Sequence, residues 1–494
     1  MSNFSTLLEE LVHAKRVNVN GLSSYCGMDR STMYKLINGT RNPGSFATVR
    51  KITEYLHLTP VETREITEAY EITRLGHEVY YSRKDILEFI LNFQDIQNPP
   101  QASFAARAEF SFFEAKENAL PLNGRISILS ALHNIVLQEA SGPQGEFCIL
   151  AQPEHLESLG LIPLLSISCG ILSIRHVICI NNASFPNRSR HNYNLQCLKR
   201  IIPFYGIGCQ YKPAYYYDNM RSHFSSFNFM PCIFLTRQSA VIFDYKMNNG
   251  FFLQGVELLE PIHRQFQEIW NRSAPLMRSF ELSPDSEIYH FPDLTFSGQR
   301  TYILGFEPCV SACLTPDFLG SHLSPMFPNR DTFLRQCAHS LQILSKNQGS
   351  CYFSLNGLRY FLESGYLYEV PKNFFRPLNK PERIQVLKKF RMLSGSGKNI
   401  RMFRGALEGF PPNFHLIISP GTGYLIFVNQ KNQYFYLLLE EQNLLCAFYD
   451  FASSLDDSGL IYSPEDTDKY LKETINGEGG LAKICQNFQS FYHC

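Results

Sequence analysis

Three things this chain lacks narrow its chemistry. It has no net charge, since 45 Lys and Arg balance 45 Asp and Glu, so any attraction for a polyanion must come from charge gathered in one part of the chain. It has no long apolar run. The richest, Leu161 to Ile174, is broken by Pro163 and Gly170 and falls short of the roughly twenty residues that span a bilayer. Met1 to Lys15 reads as an amphipathic, acid-containing helix and not as a secretory leader. Together these predict a cytoplasmic protein with no membrane partner. Finally, its 14 cysteines include no Cys-x2-Cys pair. Cys309 and Cys313 stand closest, with no histidine or second pair at zinc spacing, so no metal and no cofactor is expected, and the thiols should be buried and reduced.

What is present is core. Only 18% of residues are charged, whereas 44% are hydrophobic, with 40 Phe and 26 Tyr. A disordered chain is excluded, and 494 residues call for about two or three folded units.

The most informative stretch runs from Leu22 to Gly39. Leu22 and Cys26 stand one helical turn apart, and Gly27 supplies a left-handed turn that a side chain would resist. Asp29 can cap a second helix whose inner face is Met33, Leu36 and Ile37, closed by Asn38-Gly39. Arg30, Ser31, Tyr34 and Lys35 must then point outward. From Lys15 to Lys51 there are seven basic residues and one acid, Asp29, while past Ile52 acids dominate. Positive charge is thus concentrated in one small module.

Leu22-x4-Gly27, Ser31-Thr32-Met33, Leu36, Asn38-Gly39, Arg41-x-Pro43 and Val49-x2-Ile52-x3-Leu56 resemble the Cro and phage-repressor helix-turn-helix family over about the first sixty residues. Ser23 and Ile37 depart mildly from its pattern. The resemblance implies a helix that enters the major groove of double-stranded DNA. Arg30, Ser31 and Lys35 would then read base edges with Tyr34 in support, and Asn38, Thr40 and Arg41 would hold phosphates.

Downstream, Thr59-Pro60-x-Glu62 starts a helix expected to reach Leu75 and stop at Gly76. A further helix, Arg83 to Phe93, carries Ile86, Leu87, Ile90 and Leu91 on one side, either core or a dimer seam. Asn98-Pro99-Pro100-Gln101 marks a linker. From about residue 125 helices alternate with short apolar strands, such as Phe147–Leu150 and Val177–Ile180, the pattern of an α/β region.

That region contains an internal repeat. Ile233-Phe-Leu-Thr-x4-Val241 with the following Phe251-Phe-Leu has a counterpart in Leu416-Ile-Ile-Ser-x4-Tyr424 with Tyr434-Phe-Tyr-Leu437. Each copy leads to an acid and a helix, at Glu257 and Glu441. Leu198-Lys-Arg200 precedes the first as Leu387-Lys-Lys389 precedes the second. A duplicated α/β unit in this order looks like the phospholipase D superfamily, whose motif is His-x-Lys-x4-Asp in each lobe. Here His415 is followed by Ile417 and Thr422 at the Lys and Asp places, and the other copy has Cys232, Phe234 and Ser239. The resemblance implies a retired catalytic fold, so no enzyme activity and no catalytic residues are expected. Gly395-Ser-Gly397-Lys398 lacks the spacing of a phosphate loop.

The expected organisation is multidomain: an all-α helix-turn-helix domain (1–75), a helical linker and candidate dimerisation segment (76–124), and two pseudo-repeated α/β lobes (125–280 and 281–494). The expected function is sequence-specific transcription regulation, as a homodimer, with a C-terminal region that senses a small-molecule or protein effector. An enzyme or an interaction scaffold in the C-terminal lobes, targeted by the N-terminal unit, is the alternative reading.

Overall fold

The computed structural model describes residues 3–98, 118–142, 144–158, 160–162, 172–182, 192–207, 209–218, 229–282, 300–327, 329–346, 349–395, 398–429 and 432–476. Gly397, Pro99-Pro100-Gln101 and most of the Leu161–Ile174 run lie outside them. The chain is multidomain: one compact unit ends at Asp85 and a second begins at Ile86.

The first unit is a set of short helices, four of them started by a side chain that takes up orphaned backbone N–H groups. These are α1 (Asn3–Ala14), α2 (Val19–Cys26), α3 (Arg30–Ile37), α4 (Phe46–Tyr55) and α5 (Pro60–Leu75). Asn18, Asp29, Ser45 and Thr59 cap α2 to α5, and Thr59 forms a full capping box with Glu62. As expected, α5 ends at Gly76, which has φ 84°. Phe4, Leu8, Leu22, Met33, Val49, Ile52 and Ile66 fill one apolar core.

The next helix, α6 (His77–Leu91), begins a turn and a half before the predicted Arg83. The apolar stripe that marks a helix in the sequence starts only at Ile86, and the polar run Ser82 to Asp85 separates it from Val79, Tyr80 and Tyr81. A short α7 (Phe93–Gln97) follows. Ile86, Phe89, Ile90 and Phe93 are fully buried in the second unit's core, so this stripe, a candidate dimer seam in the sequence, is covered within its own chain. Phe89 and Phe93 pack their rings on Phe414, with centroids 6.3 and 4.3 Å away.

The second unit holds two mixed sheets. The first contains β1 (Ala119–Asn123), β2 (Gly145–Leu150), β3 (Leu172–Ile180), β4 (Gln210–Tyr217), β5 (Cys232–Leu235), β6 (Ser239–Phe243), β7 (Asn249–Gln254) and β8 (Ala274–Pro275). The second contains β9 (Met277–Leu282), β10 (Thr301–Gly305), β11 (Gly349–Phe353), β12 (Asn399–Met402), β13 (Phe414–Ser419), β14 (Thr422–Val428) and β15 (Tyr434–Leu439). Their orders are β1-β7-β6-β5-β2-β3-β4-β8 and β12-β11-β10-β13-β14-β15-β9. Apart from β8, the second order is the first read in reverse, with three parallel strands beside an antiparallel meander and an antiparallel outer strand.

The registers correspond as well. Phe234 pairs with Val241 and with Ile149, and Ile149 with His176. Ile417 pairs with Tyr424 and with Ile303, and Ile303 with Cys351. The match of Ile233 to Leu416 and Val241 to Tyr424 therefore holds strand by strand. It fails on the third strand, where Val241 faces Phe252 but Tyr424 faces Leu438. Phe252 thus corresponds to Leu438 and not to Phe435, a shift of three residues, because β14 is longer than β6 and moves the hairpin outward.

One apolar cluster runs from Ile149 and Phe234 of the first sheet to Leu416 and Leu425 of the second. The other faces are covered separately, by helix Val256–Arg272 on the first sheet and by helices that include Leu355–Ser364 and Lys380–Gly395 on the second. Two of the buried histidines, His176 and His415, are the most completely enclosed. His176 contacts the Tyr211 hydroxyl at 2.7 Å and the Ala151 carbonyl at 2.9 Å, whereas neither ring nitrogen of His415 has a partner. Burial lowers both from 6.5 to about 4. Below pH 6.5 the unfolded chain binds protons that the folded chain refuses, so stability should fall as pH drops from 6.5 toward 4. Each histidine contributes at most about 1.4 kcal/mol per pH unit. His415→Phe should flatten this fall in urea midpoints taken across the range; an unchanged slope would contradict the neutral imidazole.

Candidate nucleic-acid interface

The turn between α2 and α3 rests on Gly27, at φ 71° and ψ 34°. Its N–H bonds the Ser24 carbonyl at 3.1 Å, and the Met28 N–H bonds that of Ser23 at 3.0 Å, a Schellman closure that fixes where the chain leaves α2. Asp29 then accepts from the Thr32 N–H at 2.8 Å and from its hydroxyl at 2.7 Å. Those two bonds, the hydroxyl's first, hold the Asp29 carboxyl below the usual carboxylate range. Ser23 is buried, but its hydroxyl donates to the Asn20 carbonyl at 2.9 Å, so the departure from the family pattern leaves no unpaired group.

With the turn set, Met33, Leu36 and Ile37 face the core. Arg30, Ser31, Tyr34 and Lys35 are exposed. The Arg30 guanidinium lies 5.4 Å from the Tyr34 ring centroid and reaches its hydroxyl at 3.4 Å. Tyr34 therefore braces Arg30 along the outer face, which lowers the entropy that Arg30 would lose on engaging a ligand. Asn38, Thr40 and Arg41 follow the helix and are also exposed. In the orientation its neighbours favour, the Asn38 amide donates to the Tyr34 and Lys35 carbonyls at 2.7 and 3.1 Å. That side chain is committed to closing α3. The Arg41 N–H also bonds the Lys35 carbonyl, at 3.0 Å, which sets the guanidinium-bearing segment against the end of the helix.

The charge of the module is partly spent. Lys15 pairs with Glu62 at 3.0 Å and Arg50 with Glu54 at 2.9 Å. Among the described residues no carboxylate stands within ion-pair distance of Arg30, Lys35 or Arg41. Sequence reasoning missed two exposed aromatics in this unit. Tyr25 is half exposed on α2 and packs against Tyr55 at 5.4 Å, and Phe46 is half exposed as the first residue of α4. Phe46 stands three residues before Val49, at the spacing of the inner stripe, so the sequence carried no signal of its exposure. Since Met33 is completely buried, Met33→Ala should cost about 2–5 kcal/mol of this unit's stability. A thermal unfolding midpoint unchanged by that substitution would mean the inner face of α3 is not packed as described.

In the second unit the residues at the phospholipase D motif places do not form a charged set. His415 is buried against Tyr368, with ring centroids 5.2 Å apart, and Cys232, Phe234 and Ser239 are buried. Cys309 and Cys313 lie buried around a short 3-10 turn, and burial pushes the Cys313 thiol up to about 12. The basic sequence cluster Arg188-Ser-Arg190-His191 lies outside the described residues. Among the described residues no helix is long and apolar enough to cross a membrane.

No family model matches this sequence, and no curated protein matches it. Among solved structures it is similar to TrmBL2, an archaeal chromatin protein reported to show a novel mode of DNA binding. That match has 11% identity, covers 50% of this chain and 84% of that one, and has a TM-score of 0.21. It is also similar to polyphosphate kinase from Porphyromonas gingivalis (11% identity, 72% and 56% coverage, TM-score 0.19) and to phosphatidylserine synthase from Haemophilus influenzae Rd KW20 (8%, 73% and 93%, 0.20). Superpositions this loose bear on neither the fold nor the function of the present chain.

Proposed function

We propose that the protein is a sequence-specific transcription regulator that binds double-stranded DNA through the outer face of α3, in the manner of Cro-type helix-turn-helix proteins. One observation carries the reading. Arg30, Ser31, Tyr34 and Lys35 stand exposed on the face opposite Met33, Leu36 and Ile37, on a helix fixed at one end by Asp29 and at the other by Asn38. A short rigid helix with an exposed basic face is what major-groove readout requires. Arg41, just past the helix end, is suited to a phosphate. If the protein acts as a homodimer, its half-sites should lie about 10 base pairs apart or a multiple of this.

In this reading the second unit carries regulation and no catalysis. Its two sheets are the lobes of one duplicated unit, a reading supported by their shared strand order and by registers that match across four strands. Selection of genomic fragments by the purified protein at two salt concentrations tests the proposal. Enrichment of one motif whose preference survives the higher salt is expected; uniform binding that vanishes with salt would reduce the interface to a non-specific one.

A further inference from the structure

The second unit contains a cavity of about 650 Å³ at the carboxyl end of β10, where the parallel strands meet the antiparallel meander. Crevices at such ends are where α/β sheets hold ligands. Its lining is polar in an unusual way. Seven carboxamides contribute, among them Gln97, Asn373, Asn413 and Asn429, together with Tyr360, Tyr366, Tyr368 and Tyr434. We propose that this cavity binds an uncharged polyhydroxylated ligand, a mono- or disaccharide, with the Glu307 carboxyl and the Asn413 carboxamide oxygen as its polar anchors.

Glu307 is 7% exposed and lines the cavity, and its carboxyl makes no hydrogen bond to any described residue. A buried carboxyl without partners is costly unless something enters to pair with it. The Asn413 Oδ1 atom is buried and unpartnered as well, because the amide's other end donates to Gln97 at 2.8 Å while Gln97 donates to the Val428 carbonyl at 3.2 Å. Both anchors accept hydrogen bonds, so the ligand must donate them.

Charge decides between donors. An anion would meet Glu307, and none of the lining residues is an arginine. A cation would meet Lys372, which already lies over the Tyr360 and Tyr366 rings at 5.9 and 5.5 Å and donates to the Tyr360 hydroxyl at 3.1 Å. Hydroxyl groups satisfy the anchors with no charge, and carboxamides and tyrosines suit the polar edges and C–H faces of a pyranose ring. The volume falls within the range of small-molecule sites. Burial, with Glu369 nearby, raises the Glu307 carboxyl above its usual range, as expected of an acceptor whose partner has to come from a ligand.

Saccharide binding stands on the cavity alone; only its meaning as an effector rests on the DNA-binding reading, and the test contains no DNA. The full-length protein is titrated calorimetrically with glucose, maltose, N-acetylglucosamine and inositol, beside choline and inorganic phosphate, and is probed on an array of mono- and disaccharides. At least one sugar should bind, with choline and phosphate silent. Glu307→Ala should weaken that binding about tenfold without lowering the unfolding midpoint, since it removes an unpaired buried carboxyl. Glu307→Gln, which keeps an acceptor oxygen at the same place, should stay within about threefold of the parent. Failure of every sugar, binding of choline or phosphate in their place, or sugar binding indifferent to Glu307→Ala would each overturn the proposal.

Discussion

Arg30→Ala is expected to cost about 1–3 kcal/mol at the preferred DNA site, roughly 5- to 150-fold in affinity, and to relax preference at one base position. The size follows from the bidentate guanidinium, which matches the two major-groove acceptors of guanine and leaves them unpaired when it is lost. The bracing of Arg30 by Tyr34 adds a second-order effect, so Tyr34→Ala should weaken the same base preference less. Arg41→Ala should act differently, weakening binding to all sequences alike and reducing the slope of log affinity against log salt by about 1. Fluorescence anisotropy with the selected motif and a scrambled duplex, at two salt concentrations, separates these outcomes. If Arg30→Ala lowers affinity equally for both duplexes, Arg30 is not a base reader.

The second large effect is expected at Gly357→Ala. This glycine lies in helix Leu355–Ser364, where a Cβ would stand 1.7 Å from the Phe306 carbonyl oxygen and 2.8 Å from the Glu307 nitrogen. The oxygen cannot retreat easily, because it accepts from the Ser354 N–H at 3.0 Å and from its hydroxyl at 2.9 Å. Alanine is the better helix former by about 0.5–1 kcal/mol, so any loss measures the overlap alone. We expect about 3 kcal/mol or more, the upper part of the overpacking range. Gly409→Ala, whose Cβ meets nothing within 4 Å, should change stability by less than about 0.5 kcal/mol. Thermal and urea unfolding of the two variants provide the comparison, and equal midpoints would mean that the strand and helix are not held this close.

The N-terminal unit was the more legible part of the chain, because its signals are short-range. A capping side chain sits three residues from the N–H it accepts, and the inward stripe of Met33, Leu36 and Ile37 repeats within two turns. Where such signals thin out, the reading slips. The start of α6 was missed because the polar run Ser82 to Asp85 interrupts its apolar spacing, and the repeat was misaligned on its last strand because nothing local records how far β14 extends before it turns. The exposure of Tyr25 and Phe46 was missed for a related reason: aromatic residues are usually buried, and only packing shows which are left out.

The sequence by itself determined the capped helices of the first unit, the outward set from Arg30 to Lys35, and the strand–turn–strand units at Ile233 and Leu416, since each depends on neighbours within a few residues. Only the tertiary structure decided that the Ile86 stripe is covered within its own chain, that His415 is sealed behind Tyr368, and that Gln97, Glu307, Tyr368 and Asn413 share one cavity. These last residues are brought together by sheet order and crossover connections. Such pairings are fixed by the burial of whole faces and leave no mark in the spacing of the residues themselves.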